Sequence, residues 1–125
     1  MSAGTILYVE DNEYNRKIVR QLLAGTSYRL LEAVDGEGGV LMAQQQLPQL
    51  VLMDVQLPKM SGLDATRALK ADPRTSHIPV IVITSFALSG DREKAAAAGA
   101  DSYLAKPYSP RELLALVRRF LPEPR

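Results

Sequence analysis

The sequence predicts an α/β fold built on a doubly wound parallel sheet of five strands and five helices. Three observations carry this. Short apolar runs alternate with longer stretches of helical periodicity from Thr5 to Leu121. Three of those runs, Ile6-Leu7-Tyr8-Val9, Leu50-Val51-Leu52-Met53 and Val80-Ile81-Val82-Ile83, are apolar at every position, as strands are when helices cover both faces. Each of the three ends on a polar residue: Glu10-Asp11, Asp54 and Thr84. A weaker run, Tyr103-Leu104-Ala105, ends on Lys106.

The elements follow in order. Thr5 to Val9 reads as the first strand. Asn12 is placed to cap a helix carrying Tyr14, Ile18, Val19, Leu22 and Leu23 at helical spacing, with Gly25 as its stop. Tyr28 to Val34 is a second strand, and the charges Arg29 and Glu32 put it at an edge. Asp35-Gly36 turns the chain into a helix over roughly 37–46, whose first turn contains Gly38-Gly39, an unfavourable pair for a helix start. Leu50 to Asp54 is the third strand. Pro58 and Gly62 bracket a loop, and Leu63 to Ala71 is a helix closed by Asp72-Pro73. Val80 to Thr84 is the fourth strand. A helix from about Ser89 to Ala98 meets Gly99 as its cap, with Ala95 to Ala98 as small packing residues. Ser102 to Leu104 is a short fifth strand. Ser109-Pro110-Arg111-Glu112 combines a capping residue, proline at the first position and a capping-box glutamate. The last helix, with Leu113, Leu116, Val117 and Phe120 as its core stripe, runs to about Leu121.

At 125 residues the chain is the size of one domain, with no repeat, low-complexity stretch or internal linker. It has no cysteine, which excludes disulfides, thiolate metal sites and a cysteine nucleophile. Fifteen basic residues against 14 acidic leave a net charge of +1, which argues against nucleic acid or an anionic membrane as partner. No apolar run approaches the ~20 residues of a membrane span. Met1-Ser2-Ala3-Gly4 lacks the basic and apolar segments of a signal peptide, so the expected location is the cytoplasm.

If the strands are parallel, their polar ends emerge at one edge. Three carboxylates, a hydroxyl and an ammonium then converge there, a set suited to a hard cation and a phosphoryl group. Taken singly, the residues leave other readings open. Glu10-Asp11 is equally a solvated turn capping the next helix. Asp54, costly to bury alone, is satisfied by a structural ion pair with Lys106. Thr84 is an ordinary strand residue. Lys106-Pro107 is more specific, because a lysine at a strand end reaches over the sheet edge and the proline permits a cis bond that would aim it. His77, the single histidine, lies in a polar loop and is expected in solvent.

The segments Val9-Glu10-Asp11-Asn12, Leu52-Met53-Asp54-Val55-Gln56-Leu57-Pro58-Lys59-Met60-Ser61-Gly62, Ile83-Thr84-Ser85, Ala98-Gly99-Ala100-Asp101 and Lys106-Pro107 resemble a response-regulator receiver domain from end to end. Asp-Asn-Glu, Gln-Leu-Pro and Phe86-Ala87-Leu88 look most like stand-alone cell-cycle receivers of the DivK type. The resemblance implies a flavodoxin-like, CheY-like sheet of order 2-1-3-4-5. It implies Asp54 as phosphoacceptor, and Mg²⁺ held by Asp11, Asp54 and the Gln56 carbonyl, with Glu10 binding through water. Thr84 and Lys106 would contact the phosphoryl oxygens, with Tyr103 the switch aromatic. It implies a histidine kinase or histidine phosphotransfer protein as donor. The output would be protein–protein contact through the fourth helix, fifth strand and fifth helix, by a monomer or weak homodimer without an effector domain.

Three rival readings fit the sequence less well. A flavin or nucleotide binder lacks here a glycine-rich loop after the first strand. An aspartate-nucleophile phosphatase needs an acid two residues after the nucleophile, where this chain has Gln56. A receiver working without phosphorylation is disfavoured by the full residue set. The expectation is a phosphoacceptor that assists its own Mg²⁺-dependent phosphorylation, not an enzyme with turnover. Glu at position 10, where many receivers carry Asp, leaves the metal site intact.

Overall fold

The computed structural model describes residues 3–85 and 90–123. Phe86-Ala87-Leu88 and the expected helix start at Ser89 lie outside them, as do Met1-Ser2 and Pro124-Arg125. Ten elements alternate: β1 (Gly4–Val9), α1 (Glu13–Ala24), β2 (Tyr28–Ala33), α2 (Gly36–Gln46), β3 (Leu50–Asp54), α3 (Gly62–Ala71), β4 (Val80–Thr84), α4 (Asp91–Ala97), β5 (Ser102–Ala105) and α5 (Pro110–Phe120). The five strands form one sheet, β2-β1-β3-β4-β5, with every pair parallel. The predicted edge position of β2 and the order 2-1-3-4-5 both hold.

Because strand side chains alternate, the sheet has two core layers. Ile6, Tyr8, Leu50, Leu52, Ile81, Ile83 and Leu104 face α1 and α5, meeting Val19, Leu23, Leu113 and Val117. Leu7, Val9, Val51, Met53, Val80 and Val82 face the other helices, meeting Ala43, Ala65, Leu69 and Ala95. This two-sided covering is why β3 and β4 are buried at every position.

Helix boundaries follow their caps. The Asn12 side chain accepts from the Asn15 N–H at 2.9 Å, and Ser109 and Glu112 complete the predicted capping box. The fourth helix begins at Asp91, after Gly90 in the left-handed region, and Gly99 follows it with φ +97°. Of the four alanines there, Ala95 and Ala98 are buried.

The helix over 36–46 has a packing reason for its glycines. The Asp35 carboxylate accepts the Gly38 N–H at 2.6 Å, so the first turn is capped. A Cβ on Gly39 would stand 2.7 Å from Val9 Cγ2, so glycine lets α2 lie close against β1. Strand β2 stops at Ala33, one residue short of expectation, and Val34 is exposed. On α1, Val19 and Leu23 are buried, whereas Tyr14 and Ile18 are 70% and 42% exposed, so its apolar stripe is covered only in part. His77 is exposed, as expected. Among the described residues no helix is long and apolar enough to cross a membrane.

Candidate functional site

The parallel sheet brings the ends of β1, β3, β4 and β5 to one edge. Ladder bonds continue past the strands and hold the polar residues there. The Glu10 N–H donates to the Ala33 carbonyl at 3.0 Å, the Val55 N–H to Ile83 at 3.0 Å and the Lys106 N–H to Thr84 at 2.7 Å. Asp54 is paired in register with Ile83, so Thr84 ends the neighbouring strand one residue further on. The Lys106-Pro107 peptide is cis.

Four of the predicted residues meet directly. One oxygen from each of Glu10, Asp11 and Asp54 lies within 4.8 Å of the others. Lys106 Nζ stands 3.0 Å from Asp54 Oδ1 and 3.3 Å from Glu10 Oε1. Glu10, Asp54 and Thr84 are buried, Lys106 is half-buried and Asp11 is exposed. Gln56, also exposed, sits at the centre of a tight turn in which the Leu57 N–H donates to the Val55 carbonyl at 3.1 Å. The Gly62 N–H donates to that same carbonyl at 2.9 Å, and a Cβ on Gly62 would fall 1.9 Å from the Asp54 carbonyl oxygen. Only glycine lets α3 start so close to Asp54.

Alternation divides these residues between the two sides of the sheet. Asp54 follows Leu50 and Leu52 on the α1/α5 side, whereas Thr84 follows Val80 and Val82 on the other. Tyr103, beside Val82 in the ladder, shares the side of Thr84. It is half-buried against the second core layer, with the Arg92 guanidinium 5.5 Å from its ring centroid.

The electrostatics are those of crowded carboxylates. Burial pushes the Asp54 carboxyl up to about 7, the Glu10 charge adds to this and Lys106 opposes it. Burial also acts to raise Glu10, but the Asn15 amide, the Lys106 ammonium and its carboxyl neighbours outweigh it, and Glu10 is lowered. Asp11 is raised by partial desolvation and by Glu10. Burial acts to lower Lys106, yet the two carboxylates beside it leave it raised.

The arrangement suits a hard divalent cation. All three side chains offer oxygen, and Mg²⁺ takes carboxylate, carbonyl and water oxygens at about 2.1 Å. Lys106 adds a positive charge beside Asp54 that an incoming anion can meet. Several contributors were not singled out from the sequence: Tyr8, Asn15, Arg16 and Tyr108. The Asn15 side-chain amide donates to Glu10 Oε1 at 2.8 Å, and the Arg16 guanidinium donates to the Glu10 carbonyl at 2.9 Å. Tyr8, two residues before Glu10 on one strand, is the contributor that simple alternation could have found.

Beside Lys106 opens a pocket of about 540 Å³, lined by Asn15, Ile18, Ser85, Lys106, Pro107 and Tyr108. It lies on the flank of the sheet edge where Ile18 is left uncovered.

Comparison with known proteins agrees with this geometry. Residues 6–118 match the model of the response regulator receiver domain. The polar-differentiation response regulator DivK of Brucella anthropi is 38% identical over 117 residues, covering 94% of this chain and 95% of that protein. DivK of Brucella ovis matches to the same extent. Among solved structures, the receiver domain of sensor histidine kinase PA1611 from Pseudomonas aeruginosa superposes with a TM-score of 0.88 at 37% identity, covering 94% of this chain and 97% of that one. That protein has a magnesium ion coordinated in its active-site cleft. The chemotaxis protein CheY4 of Vibrio cholerae superposes equally well, TM-score 0.88, at 26% identity over 97% of this chain and 99% of that one. Family model, relatives and fold coincide: the chain belongs to the CheY-like response regulator receiver domains.

Proposed function

We propose that this domain accepts a phosphoryl group on Asp54 from a phosphohistidine of a histidine kinase or phosphotransfer protein, with Mg²⁺ as cofactor. The observation that carries it is the placing of Asp54: a buried carboxylate at a strand end, 3.0 Å from the Lys106 ammonium and clustered with two further carboxylates. The magnesium-bound relative lends support to the choice of ion.

An Asp54 oxygen attacks phosphorus, the P–N bond to the donor imidazole breaks, and its electron pair stays on that nitrogen. The product is an acyl phosphate. Asp11, Asp54 and the Gln56 carbonyl would hold the cation, with Glu10 reaching it through water, and bound there it would neutralise charge on the carboxylates and the incoming group. Lys106 turns from its carboxylate partners to a phosphoryl oxygen, and the Thr84 hydroxyl donates to another. Thr84 and Tyr103 share one side of the sheet, which supports Tyr103 as the aromatic that repacks when Thr84 moves. The output is then a change in the surface of α4, β5 and α5, read by a protein partner. The pocket beside Lys106, with exposed Tyr14 and Ile18 on its helix, supports docking of the donor on the α1 flank. The near-complete mutual coverage with DivK supports a regulator of that type.

Incubation with acetyl phosphate and Mg²⁺, followed by intact mass, tests the assignment. One added phosphate is expected, none without Mg²⁺ and none for Asp54→Asn. Undiminished labelling of that variant would place the acceptor elsewhere.

A further inference from the structure

Glu10 is gripped at its main chain and at its side chain by different parts of the fold. Its N–H donates to the Ala33 carbonyl at 3.0 Å, and its own carbonyl accepts from the Arg16 guanidinium at 2.9 Å. Arg16 is in turn fixed by ion pairs with Glu13 and, at 3.4 Å, with Glu32 on β2. The Glu10 carboxylate is buried and takes its nearest donor from Asn15, whose side-chain amide stands 2.8 Å from Oε1. An ionised carboxylate only accepts, so the amide must turn its NH2, not its oxygen, to Glu10. The Asn15 backbone is fixed too. Its N–H is capped by the Asn12 side chain at 2.9 Å, and the N–H of Arg16 bonds the Asn12 carbonyl at 3.1 Å.

Lys106 also reaches Oε1, at 3.3 Å, but it lies closer to Asp54, at 3.0 Å. In the function proposed above, this ammonium leaves both carboxylates for a phosphoryl oxygen. Among the described residues Oε1 then keeps the Asn15 amide at 2.8 Å and the Tyr8 hydroxyl at 3.5 Å. The first is a full hydrogen bond, and the second lies at the outer limit of one. A buried carboxylate without a partner is costly, so the amide is what lets the lysine depart. It does this without adding a positive charge that would compete with the cation.

Resting on that function, we infer that Asn15 is a positioning residue: it keeps the Glu10 carboxylate in place at the cation site when Lys106 turns to the phosphoryl group. Asn15 also lines the pocket beside Lys106. A donor seated there would meet the side chain that holds Glu10.

The test uses Asn15→Leu, which has nearly the same shape and no donor, and Asn15→Gln, which keeps an amide. Leucine favours a helix more than asparagine does, so the first variant is expected to fold. Each is made in the wild type and in the Lys106→Ala background, titrated with Mg²⁺ and followed by the backbone amide shifts of Asp11 and Asp54. Without the lysine, Asn15→Leu is expected to weaken Mg²⁺ binding about 10-fold, the size of effect usual for groups that orient a metal ligand. With the lysine present the loss should be smaller, because the ammonium still holds Oε1. Asn15→Gln should recover part of the loss. Equal losses in the two backgrounds would show that the amide does not stand in for the lysine, and overturn the inference. So would a lowered metal-free Tm with Mg²⁺ affinity unchanged, the result of a merely structural amide. Should the double variant fail to fold, beryllofluoride with Mg²⁺ decides, since it draws Lys106 away in the intact chain. Asn15→Leu should then need more beryllofluoride for half-saturation, and an unchanged requirement overturns the inference. Absence of Mg²⁺ binding by the wild type would instead refute the proposed function.

Discussion

Lys106 Nζ lies between two buried carboxylates, 3.0 Å from Asp54 and 3.3 Å from Glu10, so one ammonium is shared by two acids. The pair is under-neutralised, which is why Asp54 is raised even with a lysine in contact. The site is thus poised for a second cation.

Removing that lysine should therefore destabilise the metal-free fold. Lys106→Ala leaves two buried carboxylates without their counter-charge. The expected loss is about 2 kcal/mol, below the ~3–5 of a fully buried pair because the lysine is part-exposed. Urea unfolding without Mg²⁺ measures it. Mg²⁺ should rescue this variant more than the wild type. The variant should still take phosphate from acetyl phosphate, since the cation supplies charge relief, but should couple poorly to partner binding. Partner affinity that responds to phosphorylation as in the wild type would contradict the role given to Lys106.

Mg²⁺ should stabilise the unmodified domain, by about 2.7 kcal/mol at a free concentration roughly 100 times its Kd. Asp11→Ala should lose most of that gain. The effect should depend on pH, and its sign follows from Asp54. Its carboxyl is raised from 3.8 to about 7 in the metal-free fold, so the folded state holds this proton more tightly than the unfolded one. The stability this group contributes is full below about 4 and is lost as pH rises through about 7. Mg²⁺ needs the ionised form, so its affinity should climb over the same upper range. Thermal melts at pH 6 and pH 8, with and without Mg²⁺, check this. An equal response of wild type and Asp11→Ala, or a larger Mg²⁺ shift at pH 6, would sink the assignment.

Thr84 and Tyr103 share one side of the sheet, with Tyr103 beside Val82 and Thr84 beside Ala105 in the ladder. Drawing the Thr84 hydroxyl toward a phosphoryl oxygen should change the packing around the Tyr103 ring. Beryllofluoride with Mg²⁺ mimics the phosphoryl group, and side-chain NMR of Tyr103 reads the result. The ring signals should shift together with those of Thr84. A Tyr103 environment that stays constant while Thr84 responds would remove Tyr103 from the switch.

Gly39 and Gly25 offer a contrast in stability. Alanine at 39 would place a Cβ 2.7 Å from Val9 Cγ2, and forcing that contact costs about 1–3 kcal/mol, more than the ~1 kcal/mol of helix propensity regained. Alanine at 25 meets nothing within 4 Å at φ −85°, and should be neutral or stabilising by about 0.4–1 kcal/mol. Urea unfolding of the two variants should move in opposite directions or differ by at least that gap. Equal midpoints would show that α2 relaxes away from β1 at no cost.

What the sequence by itself determined is the part of the molecule governed by local pattern. The bounds of β3 and β4, the cap of α5, and the polar residue ending each strand are properties of short windows, since alternation, helical spacing and capping act over a few residues. Glu10, Asp11, Asp54 and Lys106 were legible because a parallel sheet sends all its strand ends to one edge. The tertiary structure decided what those residues touch. Asn15 and Arg16 support Glu10 only because α1 lies over that end of β1. Tyr108 packs on the core layer that holds Tyr8 only because β5 and β1 both border it, and Thr84 parts from Asp54 only through ladder register. The glycines of α2 read as a weak helix start until Val9 supplied the close contact that requires one of them. Such meetings join residues far apart in the chain, and their geometry comes from strand order and helix packing, which no short window contains.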